Sequence, residues 1–145
     1  MDFFTAMEVS ASGLAAQRTR MNVASSNLAN VSTTRTPEGG PYKRRDVVLE
    51  SATLGTELAG QRAGGFSEAV RGVQVSGISQ DASAPRLEHD PGHPDADANG
   101  YVAYPNVNMV EEMVDMITAS RAYEAGISTL GSAVDMAERA LGIGR

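Results

Sequence analysis

The sequence predicts an α+β protein in which long N- and C-terminal helices form a coiled-coil-like pair beside a small β-rich middle domain. Apolar residues recur every seven positions from residue 106 to residue 141, and a weaker repeat of the same period covers residues 2–30. Proline and glycine interrupt the stretch between them, which holds short segments typical of strands. We therefore expect three parts: an N-terminal helix and turn (1–34), a β-rich middle (35–105) and a C-terminal helix (106–145).

The N-terminal helix is predicted from one complete apolar row and a companion row that stops early. The complete row consists of Met7, Leu14, Met21 and Leu28. The companion row starts at Phe4 but is broken by Arg18 and Ser25. This half-seam therefore has a weaker apolar content than the C-terminal one.

The middle of the chain is predicted to contain three or four short strands. A turn cluster over residues 37–41 precedes the first of them, and Asn99-Gly100 is a hairpin signal before the last. The predicted strands cover residues 43–49, 72–83, 87–90 and 101–104. The small and polar residues 51–65 are predicted to form a loop.

The C-terminal helix is predicted from two apolar rows that together form a seam. The rows are Met109, Met116, Tyr123, Leu130 and Ala137, and Met113, Ser120, Ile127, Val134 and Leu141. Asn108 is expected to cap the helix, with Asn106 as the alternative, and Glu112 lies where a carboxylate suits the helix dipole. Such a helix is about 54 Å long and needs a partner of similar length. The helical pair either stacks laterally with its own copies or closes as an intramolecular hairpin.

Composition excludes several classes of protein. The net charge of −6 argues against non-specific binding to nucleic acid or to acidic membranes, and the absence of cysteine excludes disulfides and thiolate chemistry. No apolar run is long enough for a transmembrane helix, and the first residues lack the pattern of a cleaved secretory signal. The run Lys43-Arg44-Arg45 fits either a grip on a phosphate or an acidic partner, or a solvated strand end.

Residues 89–97 hold both histidines of the chain and three aspartates, the residue types that ligate metals. Pro91 and Pro94 prevent the helix that would place two ligands on one face. We therefore expect a proline-braced loop leading into the hairpin, with no metal, no cofactor and no catalytic residue.

Three blocks of the chain carry a family resemblance. Residues 26–34 read SNLANVSTT, residues 90–108 contain DPGHPDA and NGYVAYPNVN, and residues 113–125 contain MVDMI and SRAYEA. These blocks resemble the flagellar basal-body rod and hook proteins, and the insertion over residues 35–42 and the second block are similar to the C-type rod proteins in particular. Where the family commonly has asparagine, this chain has Gly126, which loosens the helix at that point.

The resemblance implies a structural protein of the bacterial flagellum and no enzymatic activity. Its terminal helices would pack into the hollow proximal rod, the drive shaft that transmits motor torque across the periplasm. Implied partners are copies of itself, the other proximal rod proteins, the distal rod protein, and the basal-body ring and export-apparatus proteins, with no nucleic acid and no small-molecule substrate. Export would follow the flagellar type III route without a cleaved signal peptide.

Two sets of residues follow. The predicted assembly interface is Phe4, Met7, Leu14, Met21, Leu28, Met109, Met113, Met116, Ile117, Tyr123, Ile127, Leu130, Val134 and Leu141. The family signature falls on Asn27, Ala29, Asn30, Thr33, Tyr42, Pro91, His93, Pro94, Gly100, Tyr101, Pro105 and Arg121. The competing hypotheses are a soluble helical adaptor or export chaperone, and a metal hydrolase built on His89 and His93.

Overall fold

A computed structural model of the chain describes residues 3–53 and 71–143, except for the side chain of residue 143. Its helices are α1 (Phe3–Ala29) and α2 (Met109–Ile143), and its strands are β1 (Arg45–Thr53), β2 (Arg71–Gln80), β3 (Arg86–His89) and β4 (Tyr101–Tyr104). The α+β class is confirmed, with a long helix before and after the strands. The division at residues 34 and 105 stays a prediction.

The four strands of the described residues form two two-stranded sheets. β1 pairs with β2, and β3 pairs with β4 in an antiparallel register that sets Arg86 opposite Tyr104. The predicted loop over residues 51–65 is wrong for residues 51–53, which continue β1, and its remaining residues lie outside the described part of the chain. Small polar side chains are tolerated there because the strand depends on pairing with β2 and is largely exposed.

The chain divides into two compact units, and each contains parts of both helices. In the first, formed by the described residues of 1–19, 48–77 and 119–145, a Cβ added to Gly126 would lie 2.7 Å from Cδ2 of Leu14. In the second, formed by residues 20–47 and 78–118, Asn27 bonds to Glu112 and Arg20 lies 3.9 Å from Asp115. Within this unit the α1 numbers rise as the α2 numbers fall, so the helices run antiparallel.

The covered face of α2 is rotated relative to the predicted seam. Its buried and half-buried positions recur every three or four residues and include Glu112, Met116, Ala119, Tyr123, Gly126, Leu130, Ala133 and Ala137. The predicted row from Met116 to Ala137 lies on this face. The row beside it on the same face consists mainly of small residues. In the other predicted row, Ser120 and Val134 are half-buried, whereas Met113, Ile127 and Leu141 are 44%, 49% and 77% exposed. Alanine and glycine lie on this face because their small side chains let two helices approach closely, whereas long side chains would hold the helices apart.

The start of α2 follows the predicted cap. The side-chain Oδ1 of Asn108 accepts a hydrogen bond from the backbone N–H of Val110 at 3.1 Å. The backbone carbonyl of Asn108 also accepts from the N–H of Glu112 at 3.1 Å. Asn108, and not Asn106, therefore satisfies the first free backbone donors of this helix.

Candidate functional site

A buried polar cluster lies where the end of α1 meets the start of β1 and of α2. At its centre is Asn27, whose side chain is 1% exposed. Its Oδ1 accepts from the hydroxyl of Tyr42 at 3.0 Å and from the backbone N–H of Arg45 at 2.9 Å. Its Nδ2 donates to the backbone carbonyl of Arg45 at 2.8 Å and to Oε2 of Glu112 at 2.9 Å. All four hydrogen-bonding positions of this amide are therefore used.

Glu112 brings a charge into the cluster. The residue is 1% exposed, and its Oε1 accepts a hydrogen bond from Nε of Arg44 at 2.6 Å. This bond, together with the negative charge, raises the pKa of the Arg44 guanidinium above its usual value. A second carboxylate, Asp46, lies 3.2 Å from the same guanidinium on its exposed side. Because the cation and Asn27 both contact the carboxylate, the buried charge is compensated.

The remaining signature residues at the end of α1 shape the turn that follows it. Nδ2 of Asn30 donates to the backbone carbonyl of Ser26 at 2.8 Å, and Oγ1 of Thr33 donates to Oδ1 of Asn30 at 3.1 Å. The backbone N–H of Tyr42 then donates to the carbonyl of Thr33 at 3.0 Å. These bonds explain the Asn-x-x-Asn-x-x-Thr spacing. They end the helix and direct the chain back toward the buried polar cluster.

The histidine loop is ordered by ring contacts and turn hydrogen bonds. The ring of His89 packs edge-on against Tyr101 at 5.1 Å between centroids, and His93 packs similarly against Tyr104 at 6.2 Å. Gly100 has a φ of +80°, and a Cβ there would lie 3.1 Å from Nε2 of His89. Within residues 3–53 and 71–143, no group of three or more histidine, aspartate or glutamate side chains is placed to hold a metal ion.

The first half of α2 presents a large apolar surface to solvent. Val110, Val114 and Ile117 are 68%, 55% and 48% exposed, and Met109 is 49% exposed. Ile127, Met136 and Leu141 continue the exposed apolar residues along the second half. Several exposed apolar side chains in the first half of one helix are typical of a site for association with other proteins.

The predicted interface residues fall into two groups. Those that are half-buried within the chain are Met7, Leu14, Met21, Leu28, Met116, Tyr123, Leu130 and Val134. Those that remain exposed are Phe4, Met109, Met113, Ile117, Ile127 and Leu141. Of the signature residues, Asn27, Tyr42 and Pro105 are buried, whereas Arg121 is exposed. The assignment of either group to an interface between subunits stays a prediction.

Sequence reasoning missed the pairing of Arg44 with Glu112. It assigned Glu112 to the helix dipole and treated Arg44 as part of a uniform basic run. The available signal was strand alternation, because consecutive side chains of an extended chain point to opposite faces. Lys43 and Arg45 are exposed, and Arg44 between them points inward.

Known proteins are similar to both ends of the chain and to the chain along its whole length. A family model described as "Flagella basal body rod protein" matches residues 7–35, and one described as "Flagellar basal body rod FlgEFG protein C-terminal" matches residues 98–143. The chain is 44% identical to the flagellar basal-body rod protein FlgC of Borreliella burgdorferi, over 99% of this chain and 98% of that protein. It is 43% and 38% identical to FlgC of Bacillus subtilis and of Salmonella typhimurium, over the full length of both chains in each case. Neither helix in the described part of the chain is apolar over a long enough span to cross a membrane.

Proposed function

Because the chain belongs to the flagellar basal-body rod protein family, we propose that it is a structural subunit of the proximal rod. The rod is the hollow drive shaft that carries motor torque across the periplasm. The observation that carries this proposal is similarity to FlgC proteins along the whole chain, covering the helices and the β-rich middle alike.

The exposed apolar surface of α2 supports assembly through the terminal helices. The antiparallel pair covers only one face of α2 and leaves residues such as Val114 and Ile117 exposed. Each such side chain contributes about 1.5–3 kcal/mol when it is fully buried against a neighbour. Lateral packing of many subunits would bury this surface and form the wall of a tube.

The buried cluster suits a subunit that bears load. It joins the end of α1, the first strand and the start of α2 through Asn27, Arg44 and Glu112. Bonds that connect three segments at one point resist their separation better than bonds within one segment. We infer that this junction keeps the β-rich middle fixed to the helices while the rod turns.

The further parts of the proposal concern partners and route. The subunit would contact copies of itself, the other proximal rod proteins, the distal rod protein, and the basal-body ring and export-apparatus proteins. It would reach the rod unfolded through the flagellar type III channel, without a cleaved signal peptide, and would carry out no catalysis. An adaptor or export chaperone is less well supported, because the full-length relatives are rod proteins.

Electron microscopy of basal bodies from a deletion strain, beside swimming assays, tests the proposal. We expect missing or truncated rods and loss of swimming, both restored by the intact gene. Complete rods and swimming cells in the deletion strain would overturn the proposal and return the adaptor hypothesis to consideration.

A further inference from the structure

A basic cleft lies beside the signature turn in the second compact unit. Its volume is about 450 Å³, and its walls come from the end of α1, the turn over residues 35–41 and the extended segment that leads into β1. Arg35, Lys43 and Arg45 line it, with Glu38 as the one acidic lining residue. The cleft is cationic although the chain carries a net charge of −6.

Among the described residues, two of the three cations have no partner of opposite charge. Lys43 and Arg45 make no ion pair with any residue in the described part of the chain, and both are exposed. Arg35 lies 3.8 Å from Asp95, but its side chain is 82% exposed. Arg44, the middle residue of the basic run, points away from the cleft and bonds to Glu112. Arg44 thus has a structural role, whereas Lys43 and Arg45 face the cleft.

The cleft is built on ordered structure. Its floor includes Tyr42, which is 8% exposed and donates its hydroxyl hydrogen to Asn27. The guanidinium of Arg45 lies 5.7 Å from the centre of the Tyr42 ring, which restricts this side chain. The rim is a turn closed by a hydrogen bond of 2.9 Å from the N–H of Thr36 to the carbonyl of Gly40. Binding a partner there would therefore require little ordering of the cleft.

We propose that this cleft binds an acidic segment of an adjoining rod subunit. The proposal rests on the proposed function, since it requires subunits in lateral contact. Lys43 and Arg45 are two positions apart in an extended chain, about 6–7 Å. Acidic residues one helical turn apart have Cβ atoms about 5–6 Å apart, so their flexible side chains can reach both cations at once. A negatively charged subunit packed among similar copies is repelled by them, and a cationic cleft offsets this repulsion at the contact.

Other anionic ligands fit the cleft less well. A single phosphate would fill only a small part of a space of about 450 Å³. Pro37, Pro41 and Tyr42 also line the cleft and suit the apolar parts of a peptide. The overall negative charge opposes nucleic acids and anionic lipid surfaces, which carry dense negative charge of their own.

The binding test uses the full-length chain and a labelled short peptide of alternating glutamate and alanine. Fluorescence anisotropy should show binding that weakens as salt is added, and K43E/R45E should bind at least about tenfold less tightly. The matched control R71E/R86E makes the same change in net charge at exposed strand positions outside the cleft, and it should bind as the unchanged chain does. Equal loss in both double variants, no binding at all, or equally strong competition by inorganic phosphate would overturn the proposal.

The same variants are then tested in cells that lack the chromosomal gene. We expect R71E/R86E to restore rods and swimming, K43E/R45E to fail, and the neutral K43Q/R45Q to be intermediate. Circular dichroism of the purified variants separates misfolding from lost contact, and a lysine replacing an acidic residue of another rod subunit should suppress K43E/R45E. Normal rods with K43E/R45E would overturn the cleft proposal and leave the proposed function intact. Failure of the unchanged gene to restore rods would instead overturn the proposed function.

Discussion

Replacement of Glu112 by alanine should destabilise the chain far more than replacement of its neighbour Glu111. The two residues are adjacent in the first turn of α2, and both lie near the positive end of the helix dipole. Glu112 is 1% exposed and bonds to Arg44 and Asn27, whereas Glu111 is exposed. The comparison therefore isolates the buried cluster from the effect of charge at a helix end.

The expected magnitude follows from what each variant leaves unpaired. Glu112→Ala leaves the guanidinium of Arg44, 23% exposed, without its buried carboxylate, and Nδ2 of Asn27 loses one acceptor. Removing one partner of such a pair costs about 3–5 kcal/mol, whereas Glu111→Ala should cost less than about 1 kcal/mol. Arg44→Ala should also be costly, and the double variant should cost less than the sum, with a coupling of about 2–3 kcal/mol.

Urea unfolding followed by far-ultraviolet circular dichroism measures these free energies. Glu112→Gln provides an intermediate, because its amide oxygen still accepts one hydrogen bond while the charge is lost. Equal urea midpoints for Glu112→Ala and Glu111→Ala would refute the reasoning, as would a coupling energy near zero. If Glu112→Ala does not fold, Glu112→Gln and Arg44→Lys carry the same comparison.

Three further predictions concern α2 and the histidine loop. Gly131→Ala, which adds a Cβ in open space, should raise the free energy of unfolding by about 0.5–1 kcal/mol. Gly126→Ala should not show this gain, because its added Cβ would lie 2.7 Å from a leucine methyl. Equal urea midpoints for the two variants would contradict this prediction. Ile127→Asp should block rod assembly with little effect on the free chain, and exposed Thr129→Asp should permit it; normal swimming with Ile127→Asp would exclude this residue from the interface. His93→Ala should leave metal content and swimming largely unchanged, and stoichiometric zinc lost in that variant would revive the metal hypothesis.

The architecture was accessible from sequence because it depends on long-range periodicity and strong breakers. Heptad rows extended over both termini, and the proline and glycine cluster before Tyr42 separated them from the strands. Three strands begin and end away from their predicted bounds because strands that are largely exposed have a weak burial pattern. The pairing of the strands into two sheets could not be predicted, since the alternation of apolar and polar residues identifies a strand but not its partner strand.

The rotation of the α2 seam shows a second limit. The apolar rows gave the period of the helix, but a row of alanine and glycine carries little hydrophobic signal. Ala119 and Gly126 therefore appeared as gaps in a pattern, although they lie on the covered face. The Arg44–Glu112 pair was hidden for a related reason. Its members are 68 positions apart, and the sequence does not distinguish a buried carboxylate from a solvated one.

The distribution of large and small side chains on the two helices fits the proposed assembly. Ala16, Ala24 and Ala119 are among the buried residues, and such side chains bring the helices close but remove little apolar area from water. The larger side chains, such as Val114 and Ile117, stay exposed in the single chain. Under the proposed function, these exposed side chains are available for contacts between subunits, while the Asn27–Glu112–Arg44 cluster joins segments within one. Under the proposed function, such a chain would remain unfolded during export and become ordered when neighbours cover the exposed residues of α2.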